Sequence, residues 1–123
     1  MSIAGAYKIT SMMSESPDMA WIIRGLRGIQ TFLRRAVLAI EEGDGTKKRQ
    51  MIEKAGQLIM QLDALARSAE GPLSERLSAA YAGLHIRIVN ANASDDTRAI
   101  ASILSETQEL EGQLRAISRK EAA

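Results

Sequence analysis

The sequence predicts an all-α protein, an antiparallel up-down-up-down four-helix bundle preceded by a loose N-terminal arm. Apolar residues recur at steps of three and four along four stretches of the chain, which is the period of an amphipathic helix. Turn signals separate these stretches at residues 43–45, 70–72 and 90–96. Because the connections are short, successive helices are expected to be antiparallel neighbours.

The chain is expected to hold one domain, since 123 residues is a usual size for a single core. Residues 1–15 show no sustained helical period and are predicted to form the arm, while residues 16–123 form the bundle. Helix 1 is predicted to start with Ser16 as N-cap and Pro17 in the first turn. It is expected to end near Glu42, with Gly43 as a left-handed cap.

The other three helices follow from the same signals. Helix 2 is predicted over about residues 46–68, and helix 3 from about Pro72 to the turn at residues 90–96. Ser94 or Asp95 is expected to cap helix 4. The predicted core stripe includes Ile22, Leu26, Ile29, Leu33, Ile52, Ala55, Leu58, Ile59, Leu62, Leu65, Leu77, Tyr81, Leu84, Ile88, Ile100, Ile103, Leu110 and Leu114.

Reactive side chains are scarce. There is no cysteine, and His85 is the one histidine; Ala82 precedes it by three residues, so the Glu-x-x-His pattern of di-metal bundles is missing. No cofactor, metal site or enzymatic activity is therefore expected. The chain has no apolar run long enough to cross a membrane and no signal-peptide pattern, so it is predicted to be cytoplasmic.

Apolar residues also occur beside the main stripes, and they indicate either an interaction surface or a wide core face. They are Trp21, Ile23, Leu38, Met51, Met60, Ile86 and Val89. Glycines inside the predicted helices each cost about 1 kcal/mol against alanine. They indicate close helix packing or the floor of a groove; they are Gly25, Gly28, Gly56, Gly83 and Gly112.

Several segments together resemble one family, the FliS-type flagellin export chaperones. The N-terminal signature is carried by Ala6-Tyr7-Lys8 and by residues 14–18, Ser-Glu-Ser-Pro-Asp. Residues 52–62 are similar to the family's second helix. Further matches are Gly28, Phe32, Ala36, residues 39–41, Tyr81, Ile88, residues 91–92, Asp96, Ile103, Leu104, Glu109 and Leu110. The chain departs from the pattern at residues 25–28, at Gly83, where an aromatic is usual, and at Leu114, where a tryptophan is usual.

The resemblance implies a cytoplasmic chaperone that binds the disordered C-terminal segment of flagellin in apolar grooves. It would prevent premature polymerisation and aid delivery to the flagellar type III export gate. Tyr7 would anchor an arm that covers part of the binding surface when flagellin is absent. The other partner-binding candidates are Ile52, Ala55, Ile59, Leu62, Tyr81 and Ile88. Core packing is the alternative role for each of these six.

Two other functions stay open on the sequence. Basic residues outnumber acidic ones between Arg24 and Lys54, so a basic helical adaptor or regulator could bind nucleic acid or an acidic protein through helix 1. The arginines concerned are Arg24, Arg27, Arg34 and Arg35. No aromatic residues interleave with them to stack on bases, so nucleic acid is not the expected partner. A third alternative is a homodimer formed through the exposed apolar stripe.

Overall fold

The computed structural model describes residues 19–122, and within them the chain forms four helices. They are α1 (Met19–Glu41), α2 (Gly45–Arg67), α3 (Pro72–Asn92) and α4 (Thr97–Ala122). α1 packs against α2 and α4, and α2 packs against α3, while α3 and α4 make the smallest contact. The predicted all-α four-helix bundle is confirmed. The arm over residues 1–15 and the helix start at Ser16 lie outside the described residues.

The turn from α1 to α2 forms as its sequence predicts. Gly43 has φ +74°, the left-handed conformation that glycine adopts at low cost. Its N–H donates to the Ile40 carbonyl at 3.1 Å, and the Asp44 N–H donates to the Ala39 carbonyl at 2.8 Å, which together make a Schellman motif. The Asp44 carboxylate then accepts from the Lys47 N–H at 3.0 Å and so caps α2.

The turn from α3 to α4 differs from the prediction. α3 continues to Asn92, and the N-cap of α4 is Asp96, not Ser94 or Asp95, since Asp96 Oδ1 accepts from the N–H groups of the second and third residues after it. Asp95 instead pairs with Lys48 Nζ at 2.9 Å. The buried Lys48 ammonium also donates to the Asn92 carbonyl at 3.1 Å. The start of α2 therefore anchors this turn. The buried Lys48 ammonium needs a charged partner and takes Asp95, while Asp96 caps α4.

The core is aliphatic apart from one tyrosine. Ile, Leu, Ala and Met side chains from all four helices bury together in a single cluster. Tyr81 is fully buried at its centre, and its hydroxyl has no hydrogen-bond partner among the described residues. Burial raises the pKa of this hydroxyl well above its usual value, and the negative charge of Asp63 raises it further. Tyr81 is thus a neutral core residue.

Candidate functional site

The six predicted partner-binding residues of α2 and α3 are all core residues. Each is at most 4% exposed; they are Ile52, Ala55, Ile59, Leu62, Tyr81 and Ile88. They offer a partner almost no exposed surface, so the alternative that the sequence left open, core packing, describes them in this structure. Tyr7, the seventh candidate, lies outside the described residues.

A cleft of about 460 Å³ lies between α1 and α2, next to this part of the core. Most of its lining is apolar; the residues are Trp21, Arg24, Gly25, Leu58, Gln61, Leu62 and Leu65. Trp21 forms one wall and is 58% exposed, although it is a large apolar side chain. Leu62 is the one predicted binding residue that reaches the cleft. An exposed tryptophan beside an apolar depression is typical of a protein-contact surface.

Two glycines of α1 create the shape of this cleft. A Cβ at Gly25 would lie 2.6 Å from Leu62 Cδ2, and a Cβ at Gly28 would lie 2.8 Å from Leu58 Cδ2. Such distances are shorter than real contacts, so only glycine lets the α2 leucines approach the α1 backbone this closely. At Gly25, therefore, both predicted roles hold, because the residue permits close packing and also lines the cleft.

Trp21 also holds a positive charge at the rim of the cleft. The Arg24 guanidinium carbon lies 5.2 Å from the centroid of the Trp21 ring, which is cation–π distance. One of the arginines that suggested a basic binding face is thus stacked on the aromatic wall. The rim combines an apolar surface with a cation, so it can accept an amphipathic helix that carries acidic groups beside its apolar stripe.

Exposed apolar side chains also occur on α2 and α3. Met60, Ile86 and Val89 are all more than half exposed. His85 is half-buried, and its Cδ2 would lie 4.0 Å from a Cβ at Gly56, so it sits at the seam between the two helices. Of the seven off-stripe residues that left surface and wide core face open, five are exposed, whereas Met51 is buried in the core and Ile23 is partly buried against it.

The loosely joined side of the bundle, between α3 and α4, holds a more polar cleft of about 440 Å³. Gly83 lines it, and nothing lies within 4 Å of the place where a Cβ would be. The position where the family usually has an aromatic is therefore open space. An ion pair between Arg87 and Glu106 bridges the cleft, and Arg87 also donates to Ser102 Oγ at 2.9 Å.

A carboxylate outside these clefts, Asp63, links α2 to α3. Asp63 accepts from Ser78 Oγ at 2.7 Å and from Arg67 Nε at 3.0 Å. The Ser78 hydrogen bond lowers the pKa of Asp63 most; burial opposes this, and Arg67 lowers the pKa further through its hydrogen bond and its charge. These contacts join the last turns of α2 to the first turns of α3.

Two kinds of site are missing from residues 19–122. No group of three or more His, Cys, Asp or Glu side chains is arranged to hold a metal ion in that range. None of the helices described there is long and apolar enough to cross a membrane.

The fold and these surfaces define a small helical bundle with exposed apolar contact surfaces. The model of the family described as "Flagellar protein FliS" matches residues 2–121. The flagellar secretion chaperone FliS of Bacillus subtilis (strain 168) is 31% identical over 99 residues, which cover 80% of this chain and 72% of that relative. This chain belongs to the FliS family, and the predicted resemblance is confirmed. Family and relative together support a flagellar export chaperone.

Proposed function

We propose that this protein acts in the cytoplasm as an export chaperone for flagellin. It binds the disordered C-terminal segment of flagellin, prevents premature polymerisation and aids delivery to the flagellar type III export gate. Membership in the FliS family supports the class of function. The observation that supports flagellin capture by this chain is the apolar α1–α2 cleft with Trp21 exposed at its wall.

The energetics of such capture favour a site of this kind. A disordered segment loses conformational entropy when it folds on a chaperone, at a cost of about 2–5 kcal/mol. Apolar burial offsets this cost at about 25 cal/mol per Å². Trp is enriched among the residues that contribute most of the binding energy at interfaces. Such residues lie where a neighbouring pocket excludes water. Trp21 beside Leu58 and Leu65 provides that combination.

The core residues take an indirect part in this proposal. Leu62 packs under the cleft against Gly25, so it sets the depth of the floor and does not itself offer a contact area. Ile52, Ile59 and Ile88 are buried in the core and do not line the cleft. Their substitution would change binding only through stability.

Tyr7 keeps its proposed role as the anchor of a covering arm. The described part of α1 begins at Met19, two residues before Trp21, so the segment that carries Tyr7 joins the bundle at the end where the cleft lies. An arm that occupies the cleft lowers the apparent affinity by the fraction of covered molecules. Deletion of residues 1–13 is therefore expected to tighten flagellin binding while the melting temperature stays unchanged. A melting temperature that falls with the deletion would show that the segment is structural.

Isothermal titration calorimetry tests the proposal. The titrant is the C-terminal segment of flagellin from the same organism, added at two salt concentrations to the wild type, Trp21→Ala and Leu38→Ala. Leu38 is the matched control, an exposed apolar residue of α1 that lies 17 residues beyond Trp21, or about 25 Å along the helix. Trp21→Ala is expected to weaken binding by about 30-fold, a typical loss for a dominant contact. Leu38→Ala should bind as the wild type does.

Apolar capture also predicts a negative heat-capacity change and little salt dependence. No binding by the wild type would contradict the proposed partner. Equal losses in Trp21→Ala and Leu38→Ala would contradict the proposed site but not the partner. Light scattering on the free protein checks that self-association through the apolar surface does not account for the heats.

A further inference from the structure

A third cleft lies on the flank of α1 that faces α4, and its chemistry differs from that of the apolar cleft. It measures about 520 Å³. Its lining includes Arg27, Thr31 and Arg34 from α1, and Glu111, Gly112 and Arg115 from α4. Arg27 and Arg34 are seven residues apart, so they lie on one side of α1 about 10 Å from each other along its axis.

A nearly buried carboxylate holds two of the three arginines in place. Glu111 Oε2 accepts from Arg115 Nε at 2.8 Å and from Arg27 Nε at 3.1 Å, while Oε1 accepts from Gln30 Nε2 at 3.0 Å. Each guanidinium uses only its Nε–H here and makes no other side-chain hydrogen bond to a described residue. The terminal NH₂ groups of Arg27 and Arg115 therefore remain available in fixed positions.

The charge of the cleft is not balanced. Three guanidinium groups surround one carboxylate, and Arg34 has no hydrogen-bond or ion-pair partner among residues 19–122. Gly112 has no side chain, and nothing lies within 4 Å of where its Cβ would be, so that side of the cleft is open. The result is a concave, positively charged surface on which Glu111 already positions the donors of Arg27 and Arg115, an arrangement that binds carboxylates well.

We propose that this α1–α4 cleft binds an acidic segment of a partner protein, whose carboxylates pair with Arg27, Arg34 and Arg115. Protein is favoured over nucleic acid for two reasons. No aromatic side chain lines the cleft to stack on a base. Glu111 lies among the arginines, where it would repel a continuous phosphate backbone but can be bypassed by separate carboxylates. The proposal does not rest on the apolar cleft or on flagellin binding.

The test follows the arginine Nε–H signals of the ¹⁵N-labelled full chain by nuclear magnetic resonance. The probe is a short acetylated peptide of alternating glutamate and alanine. Its controls are the same peptide with glutamine for glutamate, and a single-stranded oligothymidylate. The acidic peptide is expected to shift the signals of Arg27, Arg34 and Arg115 together and to saturation, while the glutamine peptide shifts none.

Two variants make the result specific to the cleft. Arg34→Gln should lower the affinity for the acidic peptide about fivefold, which is the effect of losing one partly exposed ion pair. Arg76→Gln removes the same charge from an exposed position on α3 and should leave the affinity unchanged. Arg34 has no partner to lose, so its variant should melt as the wild type does.

Three outcomes would overturn the proposal. One is the absence of a saturable shift with the acidic peptide. Another is an equal loss of affinity in Arg34→Gln and Arg76→Gln, which would reflect net charge and not a site. The third is tighter binding of oligothymidylate to the same arginines, which would assign the cleft to nucleic acid.

Discussion

On the flank of α1 that faces α2, glycines let leucine side chains pack against the helix backbone, and the cleft beside them is apolar. On the flank that faces α4, the contact is made by a carboxylate shared between two arginines and a glutamine. The contact between α1 and α2 depends on the fit of side chains, and the contact between α1 and α4 depends on charge. One helix thus carries two surfaces that should respond differently to salt, since added salt screens the charged contacts and leaves the packed ones nearly unchanged.

The largest expected effect is on the packed flank. Leu62→Ala should lower the free energy of unfolding by about 3 kcal/mol, because Leu62 is almost fully buried against Gly25 and leaves a cavity when truncated. Urea unfolding followed by circular dichroism measures this loss, which should be the same at low and high salt. A loss below about 1 kcal/mol would mean that packing is not what holds α1 to α2.

A smaller effect is expected on the charged flank. Glu111→Gln should cost about 1–2 kcal/mol at low salt, since it weakens three hydrogen bonds at once, and less at high salt. Glu109→Gln is the control, with the same change of charge at an exposed position on the same helix. If urea unfolding gives both variants the same loss in free energy of unfolding, the hydrogen bonds of Glu111 contribute no stability beyond the effect of its charge.

The charged flank also predicts a pH dependence. Burial favours the neutral form of Glu111, but the hydrogen bonds from Arg115, Gln30 and Arg27 together outweigh it, so its pKa lies below the usual 4.5. A lowered pKa in the folded state stabilises the fold above the unfolded-state value, and this stability is lost as the pH falls further. The wild type should therefore lose stability relative to Glu111→Gln below about pH 4.5. If the free energies of unfolding of the two proteins change by the same amount between pH 6 and pH 3, this prediction is wrong.

Glycine substitutions sharpen the comparison further. Gly83→Ala should stabilise the protein by up to about 1 kcal/mol, because it adds helix propensity where space is open. Gly25→Ala gains the same propensity but forces Leu62 to move, since its new Cβ would lie 2.6 Å from Leu62 Cδ2. Thermal melts should therefore rank Gly83→Ala above Gly25→Ala. The reverse order would mean that α1 and α2 can move apart to admit the new Cβ without a loss of stability.

The sequence predicted the helices, the Gly43 cap and the aliphatic core, because each depends on local periodicity or on a few adjacent residues. Of its binding candidates on α2, only Leu62 reaches the observed cleft. Ile59 is a core residue while its neighbour Leu58 lines the cleft, and a shift of one position rotates a side chain by about 100°. The neighbouring helices fix how α2 is rotated in the bundle, and the apolar pattern of one helix does not determine this rotation.

Two other features had no local signal at all. Glu111 meets Arg27 across 84 residues and Gln30 across 81, so no spacing rule could join them. At the start of α4, Asp95 and Asp96 are adjacent and chemically identical, so the sequence does not tell which one caps the helix; in the structure Asp96 caps it while Asp95 pairs with Lys48. Trp21 did carry a signal, since it lies beside the apolar stripe of α1.

We propose that the cleft at Trp21 captures flagellin, and the fluorescence of this residue tests that role most directly. Trp21 is the one tryptophan of the chain and is more than half exposed. A tryptophan-free C-terminal segment of flagellin should shift its emission to shorter wavelengths with the same midpoint that calorimetry gives, because the ring leaves water for an apolar contact. Binding seen by calorimetry with no change in Trp21 emission would contradict the account and place flagellin elsewhere on the bundle.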